Sequence, residues 1–357
     1  MKLAIFKPPP PPLFGLDISS SAVKMVELED AGKGAYRLER YAIEPLPKDV
    51  VADGNIVNLD AVSDAVERAW KKMATRAKHV AMALPTSAVI TKKIVVPAGL
   101  SEEDLQAQVE GEANQYIPFA LEEVNLDFQV VGPAPSGPEE VEVLIAASRK
   151  EKVEDRVAVA EAAGLKAAVM DVELYALQAA CELVQARFAA DTTDQNIALV
   201  DLGSVVTNVI MLRNGQAIYS REQAFGAAQL NQEIIQRYGL SPEEAETAKR
   251  RGDLPEGYEA EVLQPFLENT ALEIQRAAQF FFTSTEYSSL EHIVLTGGGA
   301  ALPGLQEVVS SRTRVETVIA NPFSGMEYAS RVPLKKLATD APSLMVACGL
   351  ALRRFDP

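Results

Sequence analysis

Asp17 opens the stretch Asp17-Ile-Ser-Ser-Ser-Ala-Val-Lys-Met-Val-Glu-Leu, and Asp201 opens Asp201-Leu-Gly-Ser-Val-Val-Thr-Asn-Val-Ile-Met-Leu. The two align without a gap, so Asp17 meets Asp201, Ser20 meets Ser204 and Leu28 meets Leu212, each pair 184 positions apart. About half a chain separates them, which marks one chemical device used once per half rather than a short tandem repeat. In each copy an apolar strand carries a carboxylate to its end, where an aspartate can reach a hydrated Mg2+. The turn that follows holds small residues: Ser19, Ser20 and Ser21 in the first copy, Gly203 and Ser204 in the second. Their N–H groups and hydroxyls can approach an oxyanion closely. Lys24 and Thr207 lie just past the turns and can add a charge and a hydroxyl. Facing each other across a cleft, two such hairpins would clamp a polyphosphate, with Asp17 and Asp201 on the metal side. One hairpin alone reads more readily as an ordinary polar turn. The duplication favours phosphate.

Three further constellations lie downstream. Gly297-Gly298-Gly299 sits between the strand pattern HIVLT and a helix starting near Leu302, where glycine lets backbone approach a ligand and leaves helix N–H groups free for it. A tight structural turn accounts for the same three glycines. Gly226, in EQAFGAAQLNQE, stands at a helix start, a second place for phosphate contact. Glu246 and Lys249 fall at i and i+3 on one helix face, which by spacing alone reads as a solvated ion pair.

The elements that must carry these residues follow from periodicity. Alternation predicts strands at 13–18, 23–29 and 35–45, a helix over 58–77 with Asp60 near its start, and a buried strand at 79–85. From 86 to 166 the order is βαββα: a strand ending at Pro97, a helix capped at Ser101 and ended by Pro118, strands at 125–131 and 141–147 separated by a loop, and a helix stopped by Gly164. That module of roughly 80 residues reads as an inserted subdomain. Beyond it come a strand and helix over 167–184, two strands over 196–212 with a hairpin turn at Asn214-Gly215, and helices at 226–238, 241–250 and 260–285. A helix opened by Pro303 and an apolar last helix over 341–354 complete the order. The expected division is a Pro-rich tail at 1–12, a first lobe at 13–85 and 167–195, the insert at 86–166, and a second lobe at 196–357.

Composition bounds the function. The net charge of −16, from 34 basic and 50 acidic residues, argues against non-specific nucleic-acid binding, which draws on basic groups. Cys181 and Cys348 stand in apolar helical runs and read as buried free thiols. No apolar run reaches the roughly 20 residues that span a bilayer. The start MKLAIFKPPPPPLF is too short in apolar residues for a signal peptide, and its prolines read as an extended spacer after a disordered tail or a weak membrane anchor. A cytoplasmic location is expected.

With the paired hairpins, the GGG loop and the Glu-Thr-Ala-Lys-Arg helix in chain order, the sequence resembles the superfamily of actin, the heat-shock chaperones and hexokinase. That resemblance implies an α/β, two-lobed, actin-like (ribonuclease H-like) ATPase fold, with ATP and Mg2+ as ligands. It makes the hairpins the phosphate motifs, the GGG loop the adenosine motif, and Glu246 and Lys249 adenosine contacts. Asp171, in VMDVELYAL, falls where the superfamily has its first connecting helix and in some members an acid that positions the attacking water. The segments FGLDISSSAVKMVELE, QYIPFALEEVNLDFQV, DVELYAL, REQAFGAAQLNQEI and DAPSLMVACGLALR are similar, more closely, to the PilM family of type IV pilus assembly, itself related to FtsA. The βαββα module matches the subdomain that those two families share. FtsA ends in an amphipathic membrane helix; this chain ends at LRRFDP, so recruitment through a partner at the inner membrane is expected. The family implies a nucleotide-loaded adaptor that binds the N-terminal cytoplasmic peptide of the membrane protein PilN, with other pilus motor or platform proteins and self-association as further contacts. At most slow ATP hydrolysis is expected. A small-molecule kinase with Asp171 as base, or a filament-forming ATPase, are the alternatives.

Overall fold

The computed structural model describes residues 11–186, 188 and 193–356. The first half begins with β1 (Leu13–Ile18), β2 (Ala22–Gly32) and β3 (Ala35–Pro45), an antiparallel meander. A small hairpin, β4 (Val51–Ala52) and β5 (Asn55–Ile56), leads to α1 (Leu59–Met73) and β6 (His79–Leu84). Every β1 residue is buried because both faces of its sheet are covered. The cap of α1 is Asn58, whose side chain accepts the Ala61 N–H at 3.0 Å, and the helix stops at Ala74 in the left-handed region, φ 50°.

The inserted module holds β7 (Ile90–Pro97), α2 (Glu102–Tyr116), β8 (Val124–Ala134), β9 (Gly137–Arg149) and α3 (Lys150–Ala162). Ser101 caps α2 as its sequence predicts, accepting the Asp104 N–H at 3.1 Å. The segment 132–140, expected as a loop, is mostly strand around a Pro135-Ser136 turn. Its prolines mislead: Pro133 lies on edge strand β8, and Pro138 lies past the last β7–β9 pair, Pro97 with Glu140.

After β10 (Lys166–Val172) and α4 (Glu173–Gln185) come β11 (Asn196–Leu202), β12 (Thr207–Arg213) and β13 (Gln216–Gln223). Then follow α5 (Ala228–Tyr238), α6 (Pro242–Arg251), α7 (Gln264–Ser284), β14 (His292–Thr296), α8 (Leu305–Thr313) and β15 (Glu316–Ile319). The chain closes with β16 (Glu327–Tyr328), α9 (Leu334–Asp340) and α10 (Met345–Leu352).

The sheets run β10-β6-β1-β2-β3-β16 and β13-β12-β11-β14-β15, with β7-β9-β8 in the module. Reversed, the second reads β15-β14-β11-β12-β13, which matches β10-β6-β1-β2-β3 of the first, where β16 is added as a sixth strand. The correspondence extends to register: Leu13 pairs with His79 in parallel, and Ile197, 184 positions on, pairs with His292. The sequence echo is therefore a repeat of whole sheets. Though last in the chain, β16 pairs with β3 and α10 packs on β1.

Between the sheets lie α4 and α10, sharing one core with Leu28 and Leu38 from one side and Leu199 and Ile210 from the other. Their approach is very close. A Cβ on Gly349 would stand 1.8 Å from the Ala176 carbonyl oxygen, and one on Gly15 would stand 2.0 Å from that of Ala347. Cys181 and Cys348 are both free and buried in this core. Among the described residues no helix is long and apolar enough to cross a membrane.

Candidate functional site

Both hairpins place their aspartate in the same cross-strand position. Asp17 faces Lys24 between β1 and β2, and Asp201 faces Asn208 between β11 and β12. In the first hairpin Lys24 Nζ lies 2.8 Å from Asp17 Oδ2 and donates to Ser19 Oγ at 3.2 Å, while that hydroxyl donates to the Ala22 carbonyl at 2.9 Å. Burial alone would lower the Lys24 pKa. Asp17 beside it, with Asp201 and Glu173 farther off, outweighs burial and holds it above the ordinary lysine value. Ser20 is partly exposed and Ser21 exposed, with the Ser21 carbonyl accepting the Leu46 N–H at 2.9 Å.

The second hairpin has Asn208 where the first has Lys24, so Asp201 lacks a cation of its own across the strand. Burial, reinforced by Asp17 and opposed by Lys24, pushes its carboxyl up to about 6. Glu173, the first residue of α4, is the acid that sequence reasoning passed over. Burial, with repulsion from Asp17 and Asp201, pushes it up to about 8 against the pull of Arg156 and Lys24. The available sign was its place at the head of a helix directly after a strand, two residues beyond Asp171. Asp171 itself is held by Arg353, with Nε 2.6 Å from Oδ2, and its Oδ1 accepts the Val172 N–H at 2.7 Å. Asp171 is not among the charges that shift Glu173, Asp201 or Lys24.

The glycines bring backbone to these acids. Gly297 has φ +85°, and a Cβ there would stand 2.5 Å from Asp201 Oδ1, so only glycine lets the end of β14 lie against that carboxylate. At Gly298 no atom lies within 4 Å of a would-be Cβ; the middle of the loop faces open space. Gly226 passes so near the second turn that a Cβ would stand 2.4 Å from the Ser204 carbonyl oxygen. The N–H groups of Ala227 and Ala228 donate to the carbonyls of Gly203 and Ser204 at 2.9 and 2.8 Å, stapling the start of α5 to that turn. Thr207 is buried and its hydroxyl donates to the Phe225 carbonyl at 2.7 Å, a structural bond rather than an open donor. Glu246 and Lys249 pair at 2.9 Å, and both meet Asn231 of α5, at 3.1 and 2.7 Å.

Arg156 on α3 is 2% exposed and donates to the carbonyls of Ala83 and Gly54 at 2.8 and 3.0 Å, tying the module to the end of β6. Burial lowers its pKa, against the pull of Glu173 and Asp17. A cavity of about 100 Å³ opens between Ser87, Leu174, Asn208 and Glu222; a larger one, about 370 Å³, lies by Gln185 and Asn214, away from the carboxylates.

Asp17, Asp201 and Glu173 gather near Lys24 and Arg156, and burial with repulsion among the acids holds Asp201 and Glu173 above the ordinary carboxylate value. Carboxylate oxygens that repel one another suit a hard divalent cation, which takes oxygen ligands. The described residues hold no group of three or more ligands of a protein cage. Two aspartates on opposed hairpins instead fit a cation that keeps its waters and is completed by phosphate oxygens, the habit of Mg2+.

Two sheets of one strand order, closing on a cleft at the ends of matched hairpins, define the actin-like fold. Solved structures bear this out. EutJ of Carboxydothermus hydrogenoformans matches with TM-score 0.57 at 17% identity, covering 96% of this chain and 90% of that one. MreB5 of Spiroplasma citri bound to AMPPNP matches with TM-score 0.50 at 14% identity, covering 96% and 95%. The PilM–PilN type IV pilus biogenesis complex matches with TM-score 0.80 at 28% identity, covering 97% of this chain and 99% of that one. The model of the type IV pilus assembly protein PilM matches residues 15–355. This chain belongs to the PilM family.

Proposed function

We propose that the chain is a nucleotide-loaded scaffold of type IV pilus assembly, which binds ATP with Mg2+ between the hairpins of Asp17 and Asp201 and docks the N-terminal cytoplasmic tail of PilN. The observation that carries the nucleotide is the pair of carboxylates in one cross-strand position of two matched sheets, with Gly297 laid against the second. The partner rests on the similarity over nearly the whole chain to the PilM–PilN complex. Through that tail the protein is held at the inner membrane.

The roles divide by position. Asp17 and Asp201 orient the hydrated cation, which when bound screens the charge of the phosphates. Lys24, already formed against Asp17 and Ser19, turns its ammonium to a phosphate oxygen from the first hairpin. The backbone of Gly203 and Ser204 presents the second turn, and Gly297–Gly299 form the floor beside it. Glu173 replaces Asp171 as the acid facing the reacting end, since Asp171 is engaged by Arg353. A carboxyl held up at about 8 is ionised in only a small part of the protein at neutral pH, so few molecules carry the base ready, which fits a slow ATPase. Bound nucleotide draws the two hairpins together and so sets the lobe geometry that the peptide meets.

Calorimetry on the full chain, stripped of metal and nucleotide, tests both parts. ATP should bind with Mg2+ and at least tenfold more weakly without it, and a PilN tail peptide should bind several-fold tighter to the loaded protein. Unchanged ATP affinity in both Asp17→Ala and Asp201→Ala would remove the clamp. Rapid phosphorylation of a sugar or carboxylate substrate would replace the scaffold with a kinase.

A further inference from the structure

The inserted module carries an unpaired edge. In the order β7-β9-β8, β8 bonds only to β9, so alternate N–H and C=O groups along its 11 residues point away from the sheet. Natural sheets blunt such an edge with lysine, proline or a covering element. Here β8 has no lysine, and its one proline, Pro133, is next to its end. A bulge between Val130 and Gly132 leaves both Val130 and Val131 facing solvent, 46% and 43% exposed. Asp127 is exposed on the same strand, and Glu122 and Glu123 precede it.

The charge of the module says what could cover that edge. Residues 90–149 hold 11 acids against 3 bases, Lys92, Lys93 and Arg149, a net −8, which is half the −16 of the whole chain in 60 of its 357 residues. None of these acids is buried, and among the described residues only Glu142 has an ion-pair partner, Lys93 at 3.6 Å. An acidic surface with a free apolar edge is complementary to an extended segment that alternates basic and aliphatic residues.

We infer that β8 is a docking edge for a basic, aliphatic segment of a partner protein, which adds to the module as a fourth strand beside β8. Backbone hydrogen bonds to β8 give the register, aliphatic side chains pack on Val130 and Val131, and basic ones face Asp127 and its acidic neighbours. The edge is separate from the phosphate cleft, so the assignment stands whether or not nucleotide or the PilN tail binds as proposed above.

The probe is a fluorescein-labelled peptide of four Lys-Val repeats, read by anisotropy on the full chain at about 50 mM salt. Binding in the tens to hundreds of micromolar is expected, with slowed amide exchange over 124–131. A peptide of equal charge with proline in place of valine should bind at least tenfold more weakly, because it cannot donate to the edge. The double variant Val130→Lys/Val131→Lys, checked for an unchanged Tm, should also lose about tenfold, whereas Phe280→Ser on α7 should lose nothing. Equal binding of the proline peptide, or full binding by the lysine variant, would overturn the assignment. So would displacement of the probe by a PilN tail peptide, which would place both in one groove. A several-fold gain in probe affinity on deleting residues 1–12 would overturn the partner in favour of this chain's own basic terminus.

Discussion

Glu173 offers a sharp test, because a carboxyl forced to remain neutral leaves a mark on stability. Its ordinary value is 4.5 and the cleft raises it to about 8, chiefly by burial and then by the charges of Asp17 and Asp201. Between those values the native protein holds a proton that the unfolded chain has released, so folding stability falls as pH rises from about 4.5 to about 8 and the loss is complete above 8. At 1.36 kcal/mol per pH step, the interval sets a ceiling of roughly 5 kcal/mol. Glu173 keeps some solvent contact and shares its repulsion with two other acids, which brings the expected cost to ~2 kcal/mol. Asp201, raised to about 6, acts in the same direction at lower pH. In Glu173→Gln the amide cannot ionise. Thermal unfolding with EDTA and no nucleotide should therefore show the variant about 2 kcal/mol more stable than the parent at pH 8.5, a rise in Tm of roughly 2–4 °C, and nearly equal to it at pH 5. A parent protein whose stability does not decline between pH 6 and 9, or a Gln variant destabilised equally at pH 5 and pH 8.5, would refute the electrostatic account of the cleft.

Two other substitutions separate structure from chemistry. Asp171→Asn removes the charge opposite Arg353 and should cost about 1 kcal/mol in urea unfolding while leaving ATP affinity unchanged, which a calorimetric titration checks. Gly349→Ala places a Cβ where the Ala176 carbonyl stands, forcing α10 off α4; a loss of about 3 kcal/mol or more is expected, and a well-folded variant of unchanged Tm would show that the helices do not approach as described.

Much of this site was legible in the chain. The gapless echo at 184 positions predicted that Asp17 and Asp201 would stand alike, and their cross-strand partners do fall at the same offset. Short-range grammar served well wherever one element decided the outcome: the Ser101 cap, the Asn214-Gly215 turn with φ of 50° and 73°, and the stop at Gly164 all occur as read. It failed where a residue's meaning depended on a distant neighbour. The prolines of 132–140 suggested a loop, yet pairing elsewhere along β8 and β9 made them strand ends. Thr207 had the right spacing for phosphate, and its hydroxyl went to Phe225.

The sequence alone determined the two-hairpin device, the module between its copies and the likeness to the PilM family, because each is encoded in residues close together or repeated at a fixed interval. Only the tertiary structure decided which acid stands among the charges of Asp17 and Asp201. Asp171 and Glu173 are two positions apart, and the sequence reading singles out Asp171 alone. The return of the C-terminal turn brings Arg353 to the first, and the approach of the two hairpins leaves the second among like charges. Electrostatic roles are set by charges brought together from Asp17, Asp201 and Arg353, and no local pattern in a chain reports distances of that kind.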